Sequence, residues 1–382
     1  MLTGNKGEWS EVYVFLKLLG EGRLNAADAN LNAIPNVYYP IIKILRQEGS
    51  VKREYVIDGD IKIIDGNTRT LILSVPRQNF VTQSEELFTK LSQAKARSHS
   101  FPEIEEFLNK IGVKSLAAQK TDKADIRVVV HDLKTGIEPT LGFSIKSMLG
   151  KNSTLFNAGT GTNFIYKITP PKGLALDIEQ LNIDTYREAE HSRQSKIALR
   201  IDELLKLKCS IEFDSIQSRT LYLNLTLIDS QLPKILASMI FTKFHTGESN
   251  LKCLVQELVN NNPLNFDLSL GHPFYEYKIK NFLTDNALGM TPETIWSGKY
   301  DATGGIIIVK ENGDLVCYHI YNRNEFQDYL LANTKIEQAS TSEDEHNPGY
   351  AKLQGGKPYK YGWIYEENGG LYIKLNLQIR FT

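Results

Sequence analysis

Apolar positions recur along this chain with two periods. In residues 6–19, Val12, Phe15, Leu16 and Leu19 fall at helical spacing, which predicts an amphipathic helix closing at Gly20. Residues 36–45 read as a short helix, followed by strands over 54–64 and 70–75 with turns at Asp58-Gly59 and Asp65-Gly66. Helices fit residues 84–94 and 102–111. The period then drops to two: Ile126, Val128 and Val130 alternate after Asp125, and Phe143 and Ile145 alternate with Ser144 and Lys146. A strand over 163–168 follows, and Pro170-Pro171 breaks the pattern. Residues 176–288 are mostly helical, with strong periodicity at 197–207 and 232–244, and strands return at 305–310, 315–321, 361–365 and 371–381. The order predicts a mixed α+β protein with one core over residues 1–170 and a second region over 171–382, helical and then β-rich.

The hairpin over residues 125–147 carries the candidate chemistry. An Asp opening one strand beside a polar-x-Lys on its neighbour is the skeleton of the PD-(D/E)XK nuclease site. Phosphodiester hydrolysis needs a hard divalent cation such as Mg²⁺, which takes carboxylate, carbonyl and water oxygens. Asp125 supplies one carboxylate, and Lys146 is placed to lower the pKa of an attacking water or to stabilise charge developing on the phosphate. The position two before the lysine usually holds an acid, but here it is Ser144. A second carboxylate must therefore come from elsewhere. Glu8 and Glu11 lie one turn apart at the border of the first helix's apolar stripe. Glu11, one turn before Phe15 and nearer the buried side, is the expected ligand, with Glu8 as its substitute.

Polar segments that could touch nucleic acid lie further on. The run 152–163 directly follows the catalytic strand, so Asn157, Thr162 and Asn163 are expected to contact a phosphate or base, with Lys151 paired to a phosphate. In residues 338–352 the acidic centre would be repelled by phosphates, which leaves Ser340, Thr341, Ser342, Tyr350 and Lys352 as DNA contacts. A surface loop is the plain alternative. Arg187, Arg193, Lys196, Arg200, Lys206 and Lys208 read as the solvated side of an amphipathic helix, or else as a face along a duplex. Gly159-Thr160-Gly161 lacks the third glycine, the helix and the following acid of a dinucleotide loop, and no Walker lysine is present.

Charge adds no direction of its own. With 44 basic and 45 acidic side chains in 382 residues, any nucleic-acid groove must gather its cations locally. The three cysteines form no CxxC, which argues against structural zinc and fits a reduced, cytoplasmic setting; the histidines show no ligand spacing. No N-terminal run is long and apolar enough for a signal peptide or membrane span.

The strings KGEWSE with YVFLKLL, GFSIKSMLG with TLFNAG and TNFIYKI, and GGIIIVKENGDLVCYHIYNRNEFQDYLL resemble the HpaII family of type II restriction endonucleases across essentially the whole chain. The resemblance implies Mg²⁺-dependent cleavage of double-stranded DNA at a short site, CCGG for the type member, and a serine tolerated at the SIK position. It also implies a cognate methyltransferase that protects the host site. A nuclease core over 1–170 and a DNA-recognition region over 171–382 follow. A homodimer is compatible with this reading. Two other classes stay open on the residues alone: a non-catalytic, sequence-specific DNA-binding protein whose nuclease site has decayed at Ser144, and a plain structural α/β protein.

Overall fold

The computed structural model describes residues 1–117, 124–133, 135–150, 152–339, 341, 344, 350–354, 357–358 and 361–382. In chain order the elements are α1 (Lys6–Glu21), β1 (Arg23–Ala27), β2 (Ala33–Glu48), β3 (Val51–Asp58), β4 (Asp60–Asp65), β5 (Leu71–Val75), α2 (Arg77–Gln93), α3 (Pro102–Lys110), β6 (Ile126–Val130) and β7 (Thr140–Ser147). Next come β8 (Thr154–Phe156), β9 (Asn163–Thr169), α4 (Ile178–Ala189), α5 (Lys196–Lys206), β10 (Ser210–Ile216), α6 (Arg219–Ile228), α7 (Leu232–Thr246), α8 (Leu251–Asn261) and α9 (Phe274–Leu288). The chain ends through β11 (Gly305–Val309), β12 (Leu315–His319), α10 (Arg323–Ala332), β13 (Thr334–Ile336), β14 (Leu353–Gln354), β15 (Lys357–Pro358), β16 (Ile364–Glu367), β17 (Gly370–Asn376) and β18 (Ile379–Phe381). The class is mixed α+β, as the patterning predicts.

The chain forms two compact units, one of Met1–Ser153, Ala287–Gly289 and Lys299–Tyr329, the other of Thr154–Asn286, Met290–Gly298 and Leu330–Thr382. A single boundary at Pro170-Pro171 is therefore corrected, and strand pairing is the reason. β9, expected to close the first core, pairs with β10 and β17 in the second unit. β11 crosses back to lie parallel to β7, placing Ile306 beside Ser144 and Ile308 beside Lys146. No local pattern announces a partner so far along the chain.

Among the described residues, the first unit's sheet runs β1-β12-β11-β7-β6-β2-β3-β4-β5, with a further β1–β2 pairing. Residues 36–45 belong to the long strand β2, not to a helix. Pro40 lies in mid-segment, where it would remove a helical hydrogen bond, and the Tyr- and Ile-rich surroundings suit a pleated surface. The front half of β2 pairs with β1 and its rear half with β3 and β6. Helix α1 packs on this sheet. Trp9, Val12, Phe15, Leu16 and Leu19 join Phe143, Ile145 and Tyr55 in one core. Asn5 caps α1 by accepting from Glu8 N at 3.1 Å, and Glu8 returns a bond from Asn5 N at 2.9 Å. The helix ends one residue beyond the expected Gly20, with Gly22 in the left-handed conformation as its cap.

In the second unit, β10-β9-β17-β16 and β13-β18-β8 form separate sheets. Helix α7 packs against this framework, and Tyr166 Oη donates to Ala237 O at 2.7 Å. The basic stretch 186–208 is two helices, and it is not one solvated face. Arg200 is fully buried, donates to Thr185 Oγ1 at 3.1 Å and Asn182 O at 3.0 Å, and stacks 4.1 Å from the Trp363 ring. It is a core strut with its donors satisfied.

Candidate active site

Asp125 stands one residue before β6, and its backbone N donates to Phe143 O at 2.8 Å, which sets the register of the β6–β7 hairpin. Its carboxylate turns across to β7. Oδ2 accepts from Ile145 N at 2.6 Å and from Ser144 Oγ at 3.2 Å. Oδ1 takes no hydrogen bond among the described residues. Phe143 and Ile145 enter the core, as the alternation predicts. Ser144 is buried as well, at 3% exposure, while Asp125 and Lys146 stay half-buried and reachable.

Helix α1 brings the second carboxylate. Ser10 Oγ donates to Ser147 Oγ at 2.8 Å and Lys6 Nζ to Leu149 O at 2.8 Å, so the first two turns of α1 are pinned to the exit of β7. One residue after Ser10, Glu11 is placed in the electrostatic reach of Asp125 and Lys146. Burial, then the neighbouring Asp125 charge, push the Glu11 carboxyl up to about 8; Glu8 adds to the rise, and Arg46 and Lys146 oppose it. Asp125, Ser144, Lys146, Glu11 and Glu8 therefore belong to one neighbourhood. Glu8 is also engaged in the helix cap, which leaves Glu11 the freer carboxylate.

Arg46 is a member of this neighbourhood that sequence reasoning missed. It lies on β2, one residue beyond the segment read as helix, ion-pairs with Glu48 at 2.8 Å, and sits 5.8 Å from the Phe15 ring. Beside Asp125 opens a cavity of about 340 Å³ whose walls carry Arg46, Lys52, Arg53, Arg69 and Arg127 against Glu54 and Asp125. Glu54 is held by Lys43 at 2.7 Å and by Arg69, and Arg53 donates to Gly112 O at 2.6 Å. The cations come from three strands and a turn, so no contiguous stretch of sequence marks them. Such an excess of positive charge next to the Asp125 carboxylate suits a phosphate backbone.

The expected DNA contacts fare differently. Asn157, Thr162, Asn163, Thr341, Tyr350 and Lys352 belong to the second unit. Asn157 is exposed, Tyr350 is 37% exposed, and Lys352 is exposed. Thr162 and Asn163 are each 1% exposed and bonded internally, Thr162 to Gly159 and Asn163 to Gln217, so direct contact with a phosphate is not open to them. Lys151, Ser340 and Ser342 lie outside the described residues.

No group of three or more His, Cys, Asp or Glu side chains placed to hold one ion occurs among the described residues. Two carboxylates still fit Mg²⁺, which keeps several waters and is commonly bound through one or two protein oxygens. The Asp125 charge raises the Glu11 carboxyl, a repulsion that a divalent cation held by both would offset.

The model of the HpaII restriction endonuclease family matches residues 5–381. The chain belongs to that family. It is 41% identical over 380 residues to the type II restriction enzyme HpaII of Haemophilus parainfluenzae, covering 99% of this chain and 98% of that protein. No solved structure matches the chain. In this chain Ser144 stands two residues before Lys146, where the wider nuclease pattern has an acid. No helix among the described residues is long and apolar enough to cross a membrane.

Proposed function

We propose that this type II restriction endonuclease cleaves double-stranded DNA with Mg²⁺ held by Asp125 and Glu11, at a short site for which CCGG is the first candidate. The observation that carries this reading is the half-buried Glu11 carboxyl, pushed up to about 8 by desolvation and by the charge of Asp125, with Lys146 in electrostatic reach. When bound, the cation would neutralise charge on the scissile phosphate and make a bound water more acidic. Asp125 would hold it, with its Oδ2 kept in place by Ile145 N and Ser144 Oγ. Glu11 would supply the second carboxylate, with Glu8 as its reserve. Lys146 orients the attacking water and stabilises the negative charge that grows on the phosphate oxygens. The cations around the adjacent cavity hold the backbone in register. The first unit then acts as the nuclease core and the second as the recognition region. A homodimer, a protecting methyltransferase and a cytoplasmic location complete the proposal.

The test is digestion of a plasmid of known sequence with Mg²⁺, beside an EDTA control and Lys146→Ala. Discrete fragments that require both the metal and Lys146, with ends mapped by sequencing, are the expected result. Lys146→Ala should still retard a duplex in a gel. Intact plasmid from a folded, duplex-binding wild type would instead favour a binding protein that has lost its nuclease site.

A further inference from the structure

The second unit holds a cavity of about 670 Å³ whose walls include Asn163, Glu337, Gln338, Asn376, Gln378 and Arg380. Its polar groups are arranged in an unusual way for a fold interior. Asn376 is 3% exposed, and its Nδ2 donates to Gly159 O at 2.9 Å, Thr162 Oγ1 at 3.0 Å and Asn163 Oδ1 at 2.7 Å. Gly159 O can only accept, so the amide is oriented and its Oδ1 is the atom left over. That buried oxygen has no partner. Arg380 Nε pairs with Glu337 Oε2 at 2.5 Å, a charge pair set on the cavity wall. Gln378, at 9% exposure, makes no side-chain hydrogen bond among the described residues. A buried acceptor without a partner, as Asn376 Oδ1 is, is costly and persists where a ligand completes it.

The charge of the walls selects the ligand. Glu337 and Glu293 face a single cation, Arg380, so the cavity disfavours a phosphate group, in contrast to the cationic cavity beside Asp125. A carboxylate accepting from an amino group, a guanidinium fork donating to paired acceptors, and a free amide are the set that reads base edges in a major groove. Arg suits guanine O6 and N7, and Glu suits cytosine N4, so the pair matches the two halves of one C·G base pair. We propose that this cavity reads base edges, and that Arg380, Glu337 and Gln378 are specificity-determining residues while Asn376 and Thr162 position the wall. The proposal rests on the reading that the protein cuts DNA at a specific site.

The experiment uses duplex oligonucleotides carrying the mapped target, with 7-deazaguanine replacing each guanine in turn, cleaved by the full-length wild type and by Arg380→Ala. Removing N7 at one position should lower wild-type kcat/KM by about 10-fold. Arg380→Ala, reduced by about 10- to 100-fold on the unmodified target, should show no further loss at that position. Equal losses for both proteins at every position would overturn the proposal. Gln378→Ala gives a second readout that does not disturb an internal bond. It should keep the wild-type melting temperature and discriminate less between the target and its single-base-pair variants; unchanged discrimination would count against the proposal. Failure of wild type to cut any duplex with divalent cation would overturn the nuclease reading itself. Normal cutting with uncoupled variants would overturn only the assignment of this cavity.

Discussion

Ser144 occupies a position where an acid is usual, and its hydroxyl does a smaller task. It reaches Asp125 Oδ2 at 3.2 Å, while Ile145 N holds the same oxygen more closely at 2.6 Å. Loss of the hydroxyl removes the weaker bond, worth about 1 kcal/mol, and leaves the stronger one. Ser144→Ala should therefore slow cleavage by less than about 10-fold in single-turnover assays, against near-complete loss in Lys146→Ala. His319 gives a separate prediction. It is 1% exposed, stacks 4.8 Å from the Tyr39 ring, and accepts from Tyr321 N at 3.1 Å, with Nε2 unpartnered. Phe143 and Tyr321 also face it, and Asp132 is the charged group in reach. Burial pulls its pKa down from 6.5 to about 4, with Asp132 opposing. Between those values the unfolded chain binds the proton and the folded one does not. The stability contributed is thus complete above about pH 6.5 and is lost as pH falls toward about 4. His319→Asn, which keeps an acceptor for Tyr321 N, should show a shallower decline over that window in denaturant titrations at stepped pH.

The first helix couples folding to the site. Asn5 satisfies the Glu8 N–H, and Ser10 ties the same helix to the catalytic strand. Asn5→Ala should cost about 1 kcal/mol, read as a lower urea midpoint with an unchanged slope. The element's amphipathic spacing made it legible, as did the alternation that marked β6 and β7. The strand β2 was not legible as such, because its apolar positions are too dense for a clear period and only Pro40 argues against a helix. The short strand β10 was hidden among helices for a different reason, its length. Ile211 and Phe213 alternate with Ser210, Glu212 and Asp214, but the run is seven residues long and half-buried until Ile216, and the helical reading of 176–288 passed over it.

At the scale of the whole molecule, a formal net charge of −1 supplies no general attraction for DNA. Affinity must come from local clusters such as the cations beside Asp125, where Lys52 is exposed on the cavity wall. Lys52→Ala should lower duplex affinity and reduce the slope of log K against log salt by about 0.9, one phosphate contact, in fluorescence anisotropy titrations. The sequence by itself determined the mixed α+β class, the Asp125 and Lys146 hairpin, the helix that carries Glu11 and the family, because each is written in local periodicity or contiguous strings. Tertiary structure alone decided that β11 flanks β7, that Arg200 is a buried strut, and that Arg46 and four other cations gather around Asp125. Those facts depend on pairings between residues far apart in the chain, whose closure is set by the packing of whole sheets and leaves no mark in any one segment.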